Sequence, residues 1–261
     1  MKYFSILILF ILLFLFIWSL LVEPNLLTVK KVFLKDSDLD GLKIVYASDF
    51  HVKPYEGIRL KRIIKKINAQ NPDIVLLGGD YVSGHDGKFT MPVEKISEQL
   101  KNIKSKYGTV AVMGNHDGWQ GKSGIIKALE NAGITVLENS NKNFDRFTVA
   151  GIEDLQTGNP NVETALKNAD KNIILLTHNP DMFPVVPNNV KLVLAGHLHG
   201  GQIMISAITP AYMPSQYGMK YRYGLIEENG KTLYTTNGLG TSILPVRFNS
   251  VPEIVVIEFS K

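Results

Sequence analysis

Five short apolar runs in this chain each end in residues able to hold a metal ion. Lys43–Ala47 runs into Ser48-Asp49-Phe50-His51, and Ile74–Leu77 into Gly78-Gly79-Asp80. The run at 110–113 is followed by Gly114-Asn115-His116-Asp117, and Ile173–Leu176 by Thr177-His178. The run at 192–195 leads into Gly196-His197-Leu198-His199-Gly200-Gly201. Five of the six histidines fall in these clusters, a grouping that scattered core or surface histidines would not give. Asp-x-His and His-x-His place alternate side chains on one side of an extended segment. Aspartate and asparagine oxygens mixed with imidazole, without thiolate, suit Mn²⁺, Fe²⁺ or Zn²⁺ rather than a structural zinc. Asp49, His51, Asp80, Asn115, His178, His197 and His199 exceed the needs of one tetrahedral ion. They fit two ions that share a bridging carboxylate. Ions ~3.5–4 Å apart polarise a phosphoryl group, generate hydroxide at neutral pH and clamp an in-line displacement.

The elements that must position these residues follow from the pattern between them. Helical spacing runs over 58–69 (apolar at Ile58, Leu60, Ile63, Ile64 and Ile67), over 93–103 and over 124–132. Short strands alternating with such helices predict an α/β fold, with ligands collecting at the carboxyl ends of the strands. The last third differs: 225–228, Asn229-Gly230 and 232–236 read as a hairpin with a primed turn, and 253–259 as a further strand. No repeat or linker divides the body.

Residues 4–22, FSILILFILLFLFIWSLLV, carry no charge, glycine or proline. At ~1.5 Å per residue they form a helix of about 28 Å, enough for a ~30 Å hydrocarbon core. A secretory signal has a shorter apolar region and a small-x-small site, which Trp18–Glu23 lacks. The boundaries expected are therefore a flank at 1–3, a transmembrane anchor at 4–22, a stalk and first edge strand at 23–40, and a catalytic domain at 41–261. Lys30, Lys31 and Lys35 follow the span and only Lys2 precedes it, so the positive-inside count leans towards a cytoplasmic body on the cell membrane. The absence of cysteine excludes disulfide frameworks, thiolate zinc sites and cysteine nucleophiles. A net charge of +4 spread along the chain suits an anionic substrate or a membrane surface and does not indicate nucleic acid.

Taken in order, D-x-H, GGD, GNHD, TH and GHLHGGQ over 49–202 resemble the calcineurin-like metallophosphoesterase superfamily. The ending Gly238-Leu-Gly-Thr-Ser, Leu244-Pro-Val-Arg247 and Pro252-Glu253-Ile254 resembles its membrane-associated bacterial branch. The resemblance implies two facing mixed sheets with helices outside, a four-layer αββα sandwich. It implies one ion on Asp49, His51, Asp80 and His199, and a second on Asp80, Asn115, His178 and His197, with Mn²⁺ first among the candidates. A metal-bridging hydroxide would attack phosphorus. His116 would bind the phosphate and protonate the leaving oxygen, and Asp117 would hold and orient that imidazole.

Arg247 could hold a second substrate phosphate through its planar fork, or serve as a capping arginine. His85 reads as a solvated loop residue, and Trp119, just past GNHD, as buried packing ahead of the alternative that it flanks the substrate. The Tyr- and Met-rich segment 204–223 is either a lip for an acyl chain or plain packing. A body tethered at a bilayer meets lipid headgroups at high effective concentration. The expected substrate is therefore a lipid phosphodiester or pyrophosphate, such as a UDP-diacylglucosamine-type precursor. The alternatives are soluble nucleotides or phosphoproteins, and an inactive metal-binding membrane scaffold.

Overall fold

The computed structural model describes residues 2–261; Met1, part of the flank expected at 1–3, lies outside them. The first helix, α1 (Lys2–Ile17), continues through a π-helical turn at Trp18–Val22 and a 3-10 turn at Glu23–Asn25. Its apolar side chains from Tyr3 to Ile17 are exposed nearly throughout, so the body offers this helix no groove to lie in. The helix is long and apolar enough to cross a membrane.

Where the sequence suggests a stalk, the chain is instead fastened to the body. Glu23 is buried and its Oε1 accepts from the backbone N–H of Ser250 at 2.6 Å, while its Oε2 accepts from Trp18 Nε1 at 2.9 Å. The N–H of Arg247 donates to the carbonyl of Ser19 at 2.9 Å. Strand β1 (Thr28–Lys35) begins three residues after the 3-10 turn.

The alternation then proceeds as β2 (Lys43–Ala47), α2 (Gly57–Asn68), β3 (Ile74–Leu77), α3 (Val93–Leu100) and β4 (Thr109–Ala111). Next come α4 (Asn115–Trp119), α5 (Lys122–Asn131), β5 (Thr135–Val136), β6 (Ser140–Asn143) and β7 (Thr148–Gly151). The chain closes with α6 (Val162–Leu166), β8 (Ile173–Leu176), β9 (Val190–Ala195), β10 (Gly224–Glu228), β11 (Lys231–Thr235) and β12 (Glu253–Ser260). One sheet has the order β1-β12-β2-β3-β4-β5 and the other β10-β11-β9-β8-β7-β6. Both are mixed. In the first, β12 runs antiparallel to β2, and in the second, β10 and β6 are the antiparallel strands.

Side chains alternate across each strand, and this builds the layers. Ile44, Tyr46, Ile74, Leu76, Val110 and Val112 face Val149, Ile174, Leu176, Leu192 and Leu194 in the core between the sheets. Val45, Ala47, Val75 and Leu77 point the other way, onto Leu60, Ile63 and Ile67 of α2, Ile96 and Leu100 of α3, and Ile125 and Leu129 of α5. Each such side chain contributes roughly 1.5–3 kcal/mol by leaving water. The outer layer of the second sheet is thinner: α6 and the 3-10 segment Pro180–Val185 bring Ala165, Met182 and Phe183 onto Leu175, Val193 and Ala195. This is the expected αββα sandwich. Asn229 and Gly230 between β10 and β11 both have positive φ, 53° and 74°, as a primed turn requires.

Candidate metal centre

The parallel strands β2, β3, β4, β8 and β9 all release their chains at one edge of the sandwich, and the residues just past their ends converge there. His51 Nε2 lies 3.1 Å from His199 Nε2 and 3.4 Å from Asp80 Oδ2. His199 Nε2 lies 3.5 Å from Asp49 Oδ1. On the other side of Asp80, His178 Nε2 is 3.3 Å from the same Oδ2. Asn115 Oδ1 is 3.0 Å from both His178 Nε2 and His197 Nδ1. Two four-membered groups thus share one carboxylate oxygen: Asp49, His51, His199 with Asp80, and Asn115, His178, His197 with Asp80. All seven residues are buried.

The chemistry of these atoms asks for cations. His178 Nδ1 lies 2.8 Å from the carbonyl of Gly78, which can only accept, so Nδ1 carries a proton and Nε2 is the atom turned to the cluster. Nε2 faces oxygens of Asn115 and Asp80, acceptors that ask for a positive charge beside them: a proton on Nε2 in the metal-free protein, or a cation in its place. Asp49 Oδ2 is buried with no hydrogen-bond partner. Burial holds His51 well below the ordinary histidine range, and burial with the adjacent Arg247 charge does the same to His199. Burial and the neighbouring His178 depress His197 to about 4. Neutral imidazoles are what metal binding requires. His178 differs: burial opposes its charge, yet the Asp80 carboxylate lifts it well above its ordinary value.

The backbone is bent to make this arrangement. Asp49, His51, Asp80, His197 and His199 all occupy left-handed conformations, with φ of 56°, 41°, 56°, 68° and 51°. Each costs roughly 1–2 kcal/mol for an L-residue. Such strain persists where surrounding structure over-determines it, as at functional sites. Gly238, at φ 70°, passes so close to Asp49 that an added Cβ would lie 2.7 Å from the aspartate Cβ.

His116 sits beside the cluster, its ring centroid 4.6 Å from that of His51. Its Nδ1 contacts the Gly84 carbonyl at 2.6 Å, which leaves Nε2 free to face the adjoining cavity, 3.2 Å from Ser242 Oγ. Asp117 does not hold that imidazole, contrary to the sequence expectation. Its carboxylate is fully buried and accepts four backbone N–H groups: Asp80 and Gly114 on Oδ2, at 2.7 and 2.9 Å, and Tyr81 and Val82 on Oδ1, at 2.9 and 3.3 Å. Burial, then the Asp80 charge, push this carboxyl upward, and the amide donors pull it back.

Arg247 is the second correction. It has no exposed surface, so it cannot meet a substrate. Its guanidinium donates to the carbonyls of Gly240, Ser250 and Asn237, at 3.0, 2.7 and 2.9 Å, and lies 3.3 Å from His199 Nδ1. It is a clamp for the loop behind the cluster.

A cavity of about 530 Å³ opens over the centre. Asp80, Asn115, His116, His197 and His199 line it. Ile203, Ile205, Ile208, Tyr212, Met213, Ile243 and Leu244 give it an apolar wall as well. The segment 204–223 is therefore divided: its first half, to Pro214, lines the cavity, while Tyr221 is buried core packing against Phe183. Trp119, expected to be buried, is 44% exposed on the cavity wall and stacks on His85 with ring centroids 4.7 Å apart. Ser242 and Gln202 were not singled out from sequence. Gln202 Oε1 accepts from the Ser242 N–H at 2.7 Å, and its Nε2 donates to the Ser242 carbonyl at 2.9 Å. Only their places in GHLHGGQ and GLGTS could have drawn notice.

The family description that matches this chain is calcineurin-like phosphoesterase, over residues 42–201. An uncharacterized metallophosphoesterase of Bacillus subtilis, YkuE, is 32% identical over 248 residues, covering 90% of this chain and 86% of that protein. The phosphodiesterase YaeI of Escherichia coli is 31% identical over 251 residues, covering 90% of this chain and 89% of its own length. A Danio rerio transmembrane protein with a metallophosphoesterase domain is 30% identical over 240 residues, 84% of this chain but 53% of that longer protein.

Proposed function

We propose, for a chain that belongs to the calcineurin-like phosphoesterase family and is a metal-dependent phosphoester hydrolase, that it cleaves a phosphodiester or pyrophosphate carried by a membrane lipid. The observation that carries this reading is one cavity lined both by the acidic and imidazole ligands and by a broad apolar wall. An esterified phosphate at the cluster would leave its acyl portion against Ile205, Ile208, Tyr212 and Leu244. The anchor is read as a single membrane span that holds the body at the lipid surface.

When bound, a pair of divalent ions neutralises phosphoryl charge and supplies a nucleophile at neutral pH. Asp49, His51, Asp80 and His199 would hold one ion, and Asp80, Asn115, His178 and His197 the other, with Mn²⁺ the first choice for both. His116, fixed through Nδ1 on Gly84, turns Nε2 towards the cavity, where it gives a proton to the departing oxygen. The Ser242 hydroxyl, on a backbone held by Gln202, keeps that nitrogen aimed. Asp117 acts one step back, setting the loop that carries Asp80.

The test uses the full chain in detergent with Mn²⁺. Hydrolysis of bis-p-nitrophenyl phosphate establishes diester cleavage. A paired panel then compares lipid-linked diesters and pyrophosphates, including a UDP-diacylglucosamine-type compound, with soluble nucleotides bearing the same phosphoester. Each buried methylene contributes about 0.8 kcal/mol, so four in the apolar arm should raise kcat/KM roughly 10²-fold. Equal turnover of soluble and lipid-linked members would refute the lipid reading and leave the anchor a matter of location only.

A further inference from the structure

We propose that two uncharged loops at the cavity mouth, residues 203–214 and 242–246, rest in the interfacial layer of the bilayer and form a second membrane contact beside the anchor. This rests on reading Tyr3–Asn25 as a membrane span, and it adds that the mouth itself is seated in lipid.

Composition is the first support. No Asp, Glu, Lys or Arg occurs from 203 to 219, nor from 232 to 246. Exposure is the second. Ile243 is 88% exposed, Leu244 53%, Ile208 53% and Tyr212 80%. Ile243 also has φ 60°, a left-handed conformation that a β-branched residue rarely adopts. An exposed, strained isoleucine at a loop tip is unfavourable in water on both counts, and lipid contact removes the first.

Depth is the third support and the most constraining. Ser19, whose carbonyl accepts the Arg247 N–H, lies three residues inside the apolar stretch that ends at Val22. At ~1.5 Å per residue this is about 4.5 Å below the end of that stretch. The loop that carries Ile243 and Leu244 is thus bonded to the anchor at the level of its last apolar turn, and is not held away from it by a stalk. From Leu244 to Arg247 the chain reaches at most ~11 Å. The 203–214 loop is fastened to the same level. The Met204 N–H donates to the Phe248 carbonyl at 2.7 Å, and Gln202 Nε2 donates to the Leu244 carbonyl at 3.1 Å. Trp18, at the foot of the anchor, belongs to the residue type that marks membrane–water boundaries. A lipid can therefore pass from the leaflet between these loops to the cluster without its acyl portion crossing water.

The chain has no native cysteine, so single labels are unambiguous. A fluorophore is placed on the full chain by Ile243→Cys, Ile208→Cys, Phe10→Cys or Lys171→Cys, the last beside the far end of β8. Each protein is reconstituted in phosphatidylethanolamine–phosphatidylglycerol vesicles containing shallow or deep nitroxide lipids. Positions 243 and 208 should be quenched severalfold more than 171 by the shallow nitroxide, as befits side chains ~5–10 Å into the headgroup boundary. Position 10 should respond most to the deep one. Quenching at 10 with 243 and 208 no different from 171 would overturn the inference while leaving the span intact. Labels at 243 and 208 that are shielded from aqueous iodide yet untouched by nitroxide lipid would mean a protein contact and would also overturn it. No quenching at 10 would remove the span, and the inference with it.

Discussion

Replacing Asp117 by Asn separates a structural carboxylate from a catalytic one. Four N–H groups converge on its two oxygens, from Asp80, Tyr81, Val82 and Gly114. An asparagine offers one acceptor oxygen, so two of the four donors lose their partner and face an amide NH₂ instead. A hydrogen bond to a charged group contributes ~1.5–3 kcal/mol, which puts the loss at roughly 3–6 kcal/mol. For a body of this size each kcal/mol moves the midpoint by ~2–4 °C, so Asp117→Asn should lower Tm by on the order of 10 °C. The assay is thermal unfolding of the full chain in detergent, with chelator present so that metal binding does not mask the effect. Activity is read well below the lowered midpoint. There kcat should hold within a few-fold, because His116 Nδ1 is held by Gly84 and not by Asp117. An unchanged Tm together with a ~100-fold fall in kcat would refute this reasoning and restore the imidazole-orienting role.

Three further outcomes are expected. His116→Ala should lower kcat by ~10²–10⁴ for diesters with an alkoxide leaving group and much less for p-nitrophenolate, which departs without a proton; equal losses would exclude acid catalysis. Arg247→Lys removes the fork that serves three buried carbonyls and should cost about 2–5 kcal/mol, seen as a lower Tm and weaker Mn²⁺ binding; an unchanged Tm with a raised KM would return Arg247 to the substrate. In the metal-free protein the His178–Asp80 pair stabilises fully below the ordinary histidine value of 6.5, and its contribution is lost as pH rises through the raised folded value. Ion binding must displace that proton, so calorimetry in two buffers of different ionisation heat should reveal proton release, with affinity rising with pH over that window. Heats that do not depend on the buffer would contradict it.

The ligand set was legible because each member lies two to four residues beyond a short apolar run, a local signal needing no tertiary knowledge. Asp117 misled because it adjoins His116 in sequence. Consecutive residues on a helical turn point about 100° apart, so one faces the cavity and the other the loop beneath. Arg247 misled because its burial depends on the anchor junction and on Gly240 and Asn237, none of which sequence spacing relates to it. Strands β5 to β7 went unseen from sequence: they are two to four residues long, and Ser140–Asn143 is polar throughout. Trp119 and Ser242 owe their positions to contacts with distant loops.

Strand β1, which follows the apolar helix and its 3-10 turn, pairs among the described residues with β12 alone, along all eight residues, and the Thr28 hydroxyl meets the Pro252 carbonyl 224 positions later. Residues 36–252 separate the two strands, so β1 must wait for almost the whole body to be made before it finds its partner. Strand β2 waits too, since β12 is inserted between them. Without Glu253–Ser260 in place, β1 and β2 would each keep an unpaired edge, the kind that invites pairing with another chain. Closure of this sheet thus depends on one strand, Glu253–Ser260, which joins its two neighbours.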